Sequence, residues 1–171
     1  MFKLITMSLL FFTSTLIGFY QSAQLSRRYK LLLQYRDFLN RLETEMGYFK
    51  APLPQILQKL HRNDNKPIDI LLRQCLVQLE TSTESLEQIW GNALISAYEG
   101  EPLNKADLAL FKKCSTFLGQ SNYQGQKGHF ALLNKELDCR IDEMHHICRT
   151  KGPLYSKAGL SIGAVLAIAL L

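Results

Sequence analysis

The stretch from Arg27 to Phe49, RRYKLLLQYRDFLNRLETEMGYF, constrains the fold more than any other part of the chain. Apolar residues stand at Leu25, Leu32, Tyr35, Leu39, Leu42, Met46 and Phe49. From Leu32 onward the steps alternate between three and four residues, which is one face of a helix and close to a heptad seam. Immediately before it, Leu4 to Ala23 carries no charge, and about twenty helical residues span the hydrocarbon of a bilayer. The sequence therefore predicts a membrane helix that runs on into an amphipathic one.

A cleaved signal peptide is the rival reading of the amino terminus. It needs a shorter apolar core and a small-x-small cleavage site, and Ser22-Ala23 with Tyr20 and Gln21 nearby offers a poor one. Arg27, Arg28 and Lys30 follow the apolar run, against Lys3 before it, an asymmetry that holds the downstream side in the cytoplasm. The carboxy terminus is charge-free from Ala158 to Leu171, roughly 21 Å of helix. It gains a turn from Leu154 if Lys157 snorkels. Ala158, Gly159, Ser161, Gly163 and Ala164 would let another membrane helix approach closely. Basic residues precede this tail and none follows it, so both ends predict the same orientation. The expected domains are an N-terminal transmembrane helix over 1–24, a cytoplasmic helical bundle over 25–153 and a C-terminal membrane segment over 154–171.

Between the ends the chain reads as six amphipathic helices and no strand. Pro52 and Pro54 break the first helix and open the second, since a proline N–H has no partner in a first turn anyway. Leu53, Ile56, Leu57 and Leu60 line that second helix. The tract His61 to Lys66 is a polar turn, and Pro67 opens a third helix striped by Ile68, Leu71, Leu72, Cys75 and Leu79. Thr81 to Glu84 is read as the capping cluster of a fourth helix carrying Leu86, Ile89, Trp90, Ala93, Leu94 and Ala97. The fifth start is the clearest. Asn104 caps, Asp107 sits three residues on, and Leu103 and Leu108 form a hydrophobic staple. Gly119 is the expected stop. Ser121-Asn122 opens a sixth helix with Phe130, Leu133, Leu137, Ile141, Met144 and Cys148 on one face, and Gly152-Pro153 is expected to break it. The predicted fold class is all-α, a six-helix bundle flanked by two membrane helices.

Composition narrows the function classes. The net charge of +5 is largely carried by basic residues beside the apolar ends, which suits membrane edges better than a nucleic-acid groove. Cys75, Cys114, Cys139 and Cys148 show no CxxC spacing. Reduced thiols in a cytoplasmic domain, or disulfides in an exported one, are the two readings. The densest chemistry is Cys139, Glu143, His145, His146 and Cys148, which leaves a membrane-anchored metal- or thiol-dependent enzyme as the alternative function. Adjacent histidines point about 100° apart on a helix, and neither HExxH nor a Cys-x2-Cys knuckle is present. No phosphate-cradling loop is present either, so no cofactor is expected. Glu43 and Glu45 lie two apart on different faces, better suited to solvent or a partner than to acid–base work.

Leu42-Glu43-x-Glu45-Met46-x-Tyr48 followed by Pro52-Leu53-Pro54, then Leu118-Gly119-x-Ser121 with Gln126 five residues on, then Tyr155-x-x-x-Gly159 before the apolar tail, resembles the stage III sporulation protein AB family of endospore formers. Asn122 stands where that family carries aspartate, and Ala51 where threonine is usual. The resemblance covers nearly the whole chain. It implies a cytoplasmic domain similar to that of the type II secretion F platform protein and a place in the mother cell–forespore channel complex. The implied partners are other subunits of that complex, including a cytoplasmic secretion-type ATPase. On this reading the chain is a structural platform in the cell membrane, with its soluble domain on the mother-cell side. Arg41, Glu43, Glu45 and Tyr48 are the expected partner contacts.

Overall fold

The computed structural model describes residues 2–48, 51–118 and 123–169. Among them the chain is all-α, with six helices and no strand: α1 (Phe2–Tyr48), α2 (Leu53–Leu60), α3 (Pro67–Thr81), α4 (Leu86–Ala97), α5 (Lys105–Leu118) and α6 (Tyr123–Ala169). The helix starts follow from local chemistry. Pro52 occupies the N-cap of α2 with Pro54 just inside, and Pro67 is the first residue of α3. Asn104 and Asp107 satisfy each other's backbone: Asp107 N–H donates to Asn104 Oδ1 at 2.8 Å and Asn104 N–H to Asp107 Oδ2 at 3.1 Å. Gly119, Ser121 and Asn122 lie outside the described residues.

Two expectations are corrected. The cap of α4 is Ser85, downstream of the 81–84 cluster. Its hydroxyl accepts from Gln88 N–H at 3.3 Å, while Ser85 N–H donates to Gln88 Oε1 at 3.3 Å. Only the Ser85-x-x-Gln88 spacing serves two orphan donors at once. Thr81 instead closes α3, its hydroxyl donating to Val77 O at 2.8 Å.

The second correction concerns Gly152-Pro153, which does not end a helix: α6 runs through it with Pro153 inside. An internal proline removes one N–H and crowds the carbonyl four residues back, at about 3 kcal/mol. Here the helix is secured on both sides. Gly152 is buried, where an added Cβ would stand 3.4 Å from Ser22 Oγ. Ser156 Oγ donates to Gly152 O at 3.4 Å.

The chain divides into two compact units. The larger, Leu31–Arg140, packs α3 on α4, α4 on α5 and α2 on α3. Its core holds Leu32, Tyr35, Leu39 and Leu42 of the expected α1 face, together with Leu31 and Phe38. The added pair widens a narrow seam into the broader stripe of a helix that faces a globular core. Tyr35 stacks on Phe111 with ring centroids 3.8 Å apart, and its hydroxyl donates to Phe111 O at 2.7 Å. Phe38 stacks on Trp90 at 6.1 Å.

The smaller unit, Met1–Lys30 with Ile141–Leu171, is built on glycine. A Cβ on Gly18 would stand 2.6 Å from Tyr155 O, and one on Gly159 would stand 2.8 Å from Ser14 O. Ser14 Oγ donates to Gly159 O at 2.9 Å. Backbones approach this closely only where side chains are absent. No helix among the described residues is long and apolar enough to cross a membrane. Leu9, Phe12, Leu16, Ile17, Leu160, Ile162 and Val165 are all more than half exposed.

Candidate interaction surface

A groove lies beside α1 and α2 in the larger unit. One part encloses about 90 Å³ between Phe38, Arg41, Leu60, Arg62, Ile68 and Leu72. A second, more open part of about 310 Å³ continues past Thr44, Glu45 and Lys59. Arg41, Leu60 and Arg62 border both parts. The spacing of Arg41 and Glu45, one helical turn apart, puts both on the groove side of α1.

Ion pairs line the walls. Arg41 pairs with Asp37 at 2.8 Å, Glu45 with Lys59 at 2.6 Å, and Lys66 with Asp64. The α2–α3 loop is fixed from beneath by Asp69, which is almost fully buried. Its carboxylate accepts the Arg62 N–H at 2.8 Å and the Asp64 N–H at 2.5 Å, and lies 2.9 Å from His61 Nδ1. Placing Asp69 in the first turn of α3 also sets a negative charge at the positive end of that helix. Asn63 completes the turn at φ 55°, a left-handed conformation that asparagine tolerates well.

Of the four residues expected to meet a partner, the structure brings Arg41 and Glu45 into one groove. Glu43 faces elsewhere, accepting from Asn134 Nδ2 at 3.3 Å on α6. Tyr48 ends α1 with 83% of its surface exposed. Sequence reasoning missed Arg62 and Asp69 because both sit in or beside a stretch that reads simply as a polar turn. The one available signal was an aspartate in the first turn after Pro67.

The Cys139–Cys148 segment assembles no comparable site. Cys139, Glu143, His145 and His146 are exposed. Cys148 Sγ donates to Leu25 O at 3.3 Å, and its thiol is pushed up by partial burial, with Arg28 pulling the other way. His145 lies against Tyr29 with ring centroids 5.6 Å apart. No three His, Cys, Asp or Glu side chains among the described residues gather as a metal site. All four cysteines are free; Cys75 and Cys114 are buried. Burial pushes the Cys75 thiol up to about 12 and raises Cys114 and the Tyr35 phenol as well, which holds all three neutral at pH 7 and makes the thiols poor nucleophiles.

The fold is that of an all-α protein with a groove beside α1 and α2. The chain belongs to the stage III sporulation protein AB family, whose profile matches residues 3–171. It is 22% identical over 171 residues to the stage III sporulation protein AB of Bacillus subtilis (strain 168), covering 100% of both chains. A solved structure of a stage III sporulation protein AB superposes with a TM-score of 0.64 at 22% identity, covering 71% of this chain and 96% of that one. At that identity the structural likeness speaks for the fold alone.

Proposed function

We propose that the protein is a membrane-anchored platform subunit of the mother cell–forespore secretion-like channel, acting by contact with a secretion-type ATPase and ring subunits. The observation that carries the membrane half of this reading is the outer surface of the glycine-paired ends. Large apolar side chains from Leu9 to Tyr20 and from Leu154 to Val165 stand exposed on that unit, and an exposed apolar patch of this extent calls for a lipid or protein cover.

The polar residues of the first apolar stretch lower its mean hydropathy but suit a bilayer. Thr15 Oγ1 donates to Phe11 O at 2.8 Å and Ser14 Oγ to Gly159 O, so neither hydroxyl leaves a donor unserved. The charge-free tail continues to Leu171 in the sequence. Arg27, Arg28 and Lys30 support a cytoplasmic position for the bundle.

The contact half rests on family membership and on the groove. A pull-down from membranes with the ATPase partner tests it. Tyr48→Ala and charge reversal at Glu43 and Glu45 are expected to reduce recovery several-fold while the chain stays in the membrane fraction. Unchanged recovery in all three variants removes these three residues from the proposal.

A further inference from the structure

We infer that the α1–α2 groove docks an acidic, leucine-bearing helical segment of a partner protein, with Arg62 as the anchoring cation. This rests on the reading of the chain as a contact platform and names the chemistry of the contact. Four features of the groove point to that occupant.

The first is charge. Each of the other basic residues on the walls already has a carboxylate: Arg41 has Asp37, Lys59 has Glu45 and Lys66 has Asp64. Arg62 has no carboxylate partner among the described residues, and it borders both parts of the groove. The one unspent positive charge therefore sits where the two parts meet.

The second is preorganisation. Asp69 spends its buried carboxylate on the backbone N–H groups of Arg62 and Asp64, so the loop is fixed without consuming the Arg62 guanidinium. A fixed loop presenting a free arginine loses little conformational freedom on binding. The planar fork of arginine also suits a carboxylate in two-point contact.

The third is the floor. Phe38, Leu60, Ile68 and Leu72 line the narrower part, and a volume near 90 Å³ matches a branched aliphatic side chain. Arginine is among the residues enriched at binding hot spots, which sit in well-packed pockets. The fourth is shape: the wider part runs on along α1 and α2, leaving room for the next turn of a helix. An apolar residue in the narrow part and an acid three or four positions away would lie on one face of such a segment.

The test uses the full-length chain in detergent and Trp90 fluorescence. Trp90 is the single tryptophan, and its ring stacks on Phe38 in the groove floor. The probes are acetylated, amidated helical peptides with leucine and glutamate four residues apart, each with a glutamine counterpart. Saturable binding of the glutamate peptides is expected, at least tenfold weaker for the glutamine peptides and for Arg62→Glu, with Arg62→Lys intermediate. Arg62 is exposed, so these variants keep the fold; an unchanged circular dichroism spectrum checks this. Equal binding of both peptide sets, no binding of either, or an Arg62→Glu variant that binds like the parent overturns the proposal. Membrane pull-down of the ATPase partner by Arg62→Glu separates the two readings. Recovery equal to the parent sinks the groove while the platform stands, whereas absence of recovery by the parent chain itself sinks the platform.

Discussion

The two compact units of this chain solve the problem of packing helices in opposite ways. In the larger unit the contacts are made by big side chains: Trp90, Tyr35, Phe111 and Phe130 are almost fully buried. In the smaller unit the contact is backbone on backbone at Gly18 and Gly159, and the large side chains face outward. The first arrangement gains from removing apolar surface from water. The second gains little in that way, and suits surroundings that are themselves apolar, where close approach and dispersion hold helices together. One pair of helices, α1 and α6, supplies residues to both units.

The contrast can be broken most severely in the larger unit. Phe111→Ala removes the ring stacked on Tyr35 and is expected to destabilise the bundle by about 3–5 kcal/mol, read by denaturant titration in detergent. A loss under about 1 kcal/mol would mean that this core is loosely packed.

Raising the pH attacks the same core. The folded pKa values of Cys75, Cys114, Tyr35 and Tyr98 lie above their ordinary values because burial disfavours the charged form. The unfolded chain therefore ionises first. Their contribution is intact below the ordinary thiol value of 9.0 and is lost as the pH climbs toward the folded values, by up to about 1.4 kcal/mol per pH unit for each group. Stability should fall steadily above that pH, and Cys75→Ala should lessen the slope by one group's share. A flat profile would contradict the burial of these groups.

In the smaller unit Gly18→Leu drives a side chain into the backbone of Tyr155 and Gly159. The pairing should weaken by about 1–3 kcal/mol. A cross-link between Ser22→Cys and Gly152→Cys, whose side chains would meet, reads this directly: its yield should drop while the denaturant midpoint of the larger unit holds. The smallest effect belongs to Asn104→Ala, which removes the cap of α5 and should cost about 1 kcal/mol, measured in the same titration.

How much of this was legible in the sequence follows the same division. Periodicity placed a helix at each of the six among the described residues, though not the run of α6 through Pro153, because burial on one face repeats every three or four residues. It named Leu32, Tyr35, Leu39 and Leu42 but passed over Leu31 and Phe38, since a seam template is narrower than a core-facing stripe. The Asn104–Asp107 cap was readable because both partners are local. The Ser85–Gln88 cap was hidden by a richer-looking cluster upstream.

Gly152-Pro153 misled because a proline's local preference is overridden when packing secures the helix on both sides. The groove was the least legible part. Glu45–Lys59 joins distant positions, and Arg62 reaches the groove only through a loop that Asp69 folds.

The proposed function puts the paired ends in a membrane and the bundle on its cytoplasmic side. Cys139 provides the direct reading: in a Cys148→Ser variant it is the one exposed thiol, with Cys75 and Cys114 buried. An impermeant maleimide applied to intact cells should leave the protein unlabelled. The same reagent after permeabilisation should label it fully, with the chain recovered in the membrane fraction throughout. Labelling in intact cells, or recovery of the chain in the soluble fraction, would contradict the account.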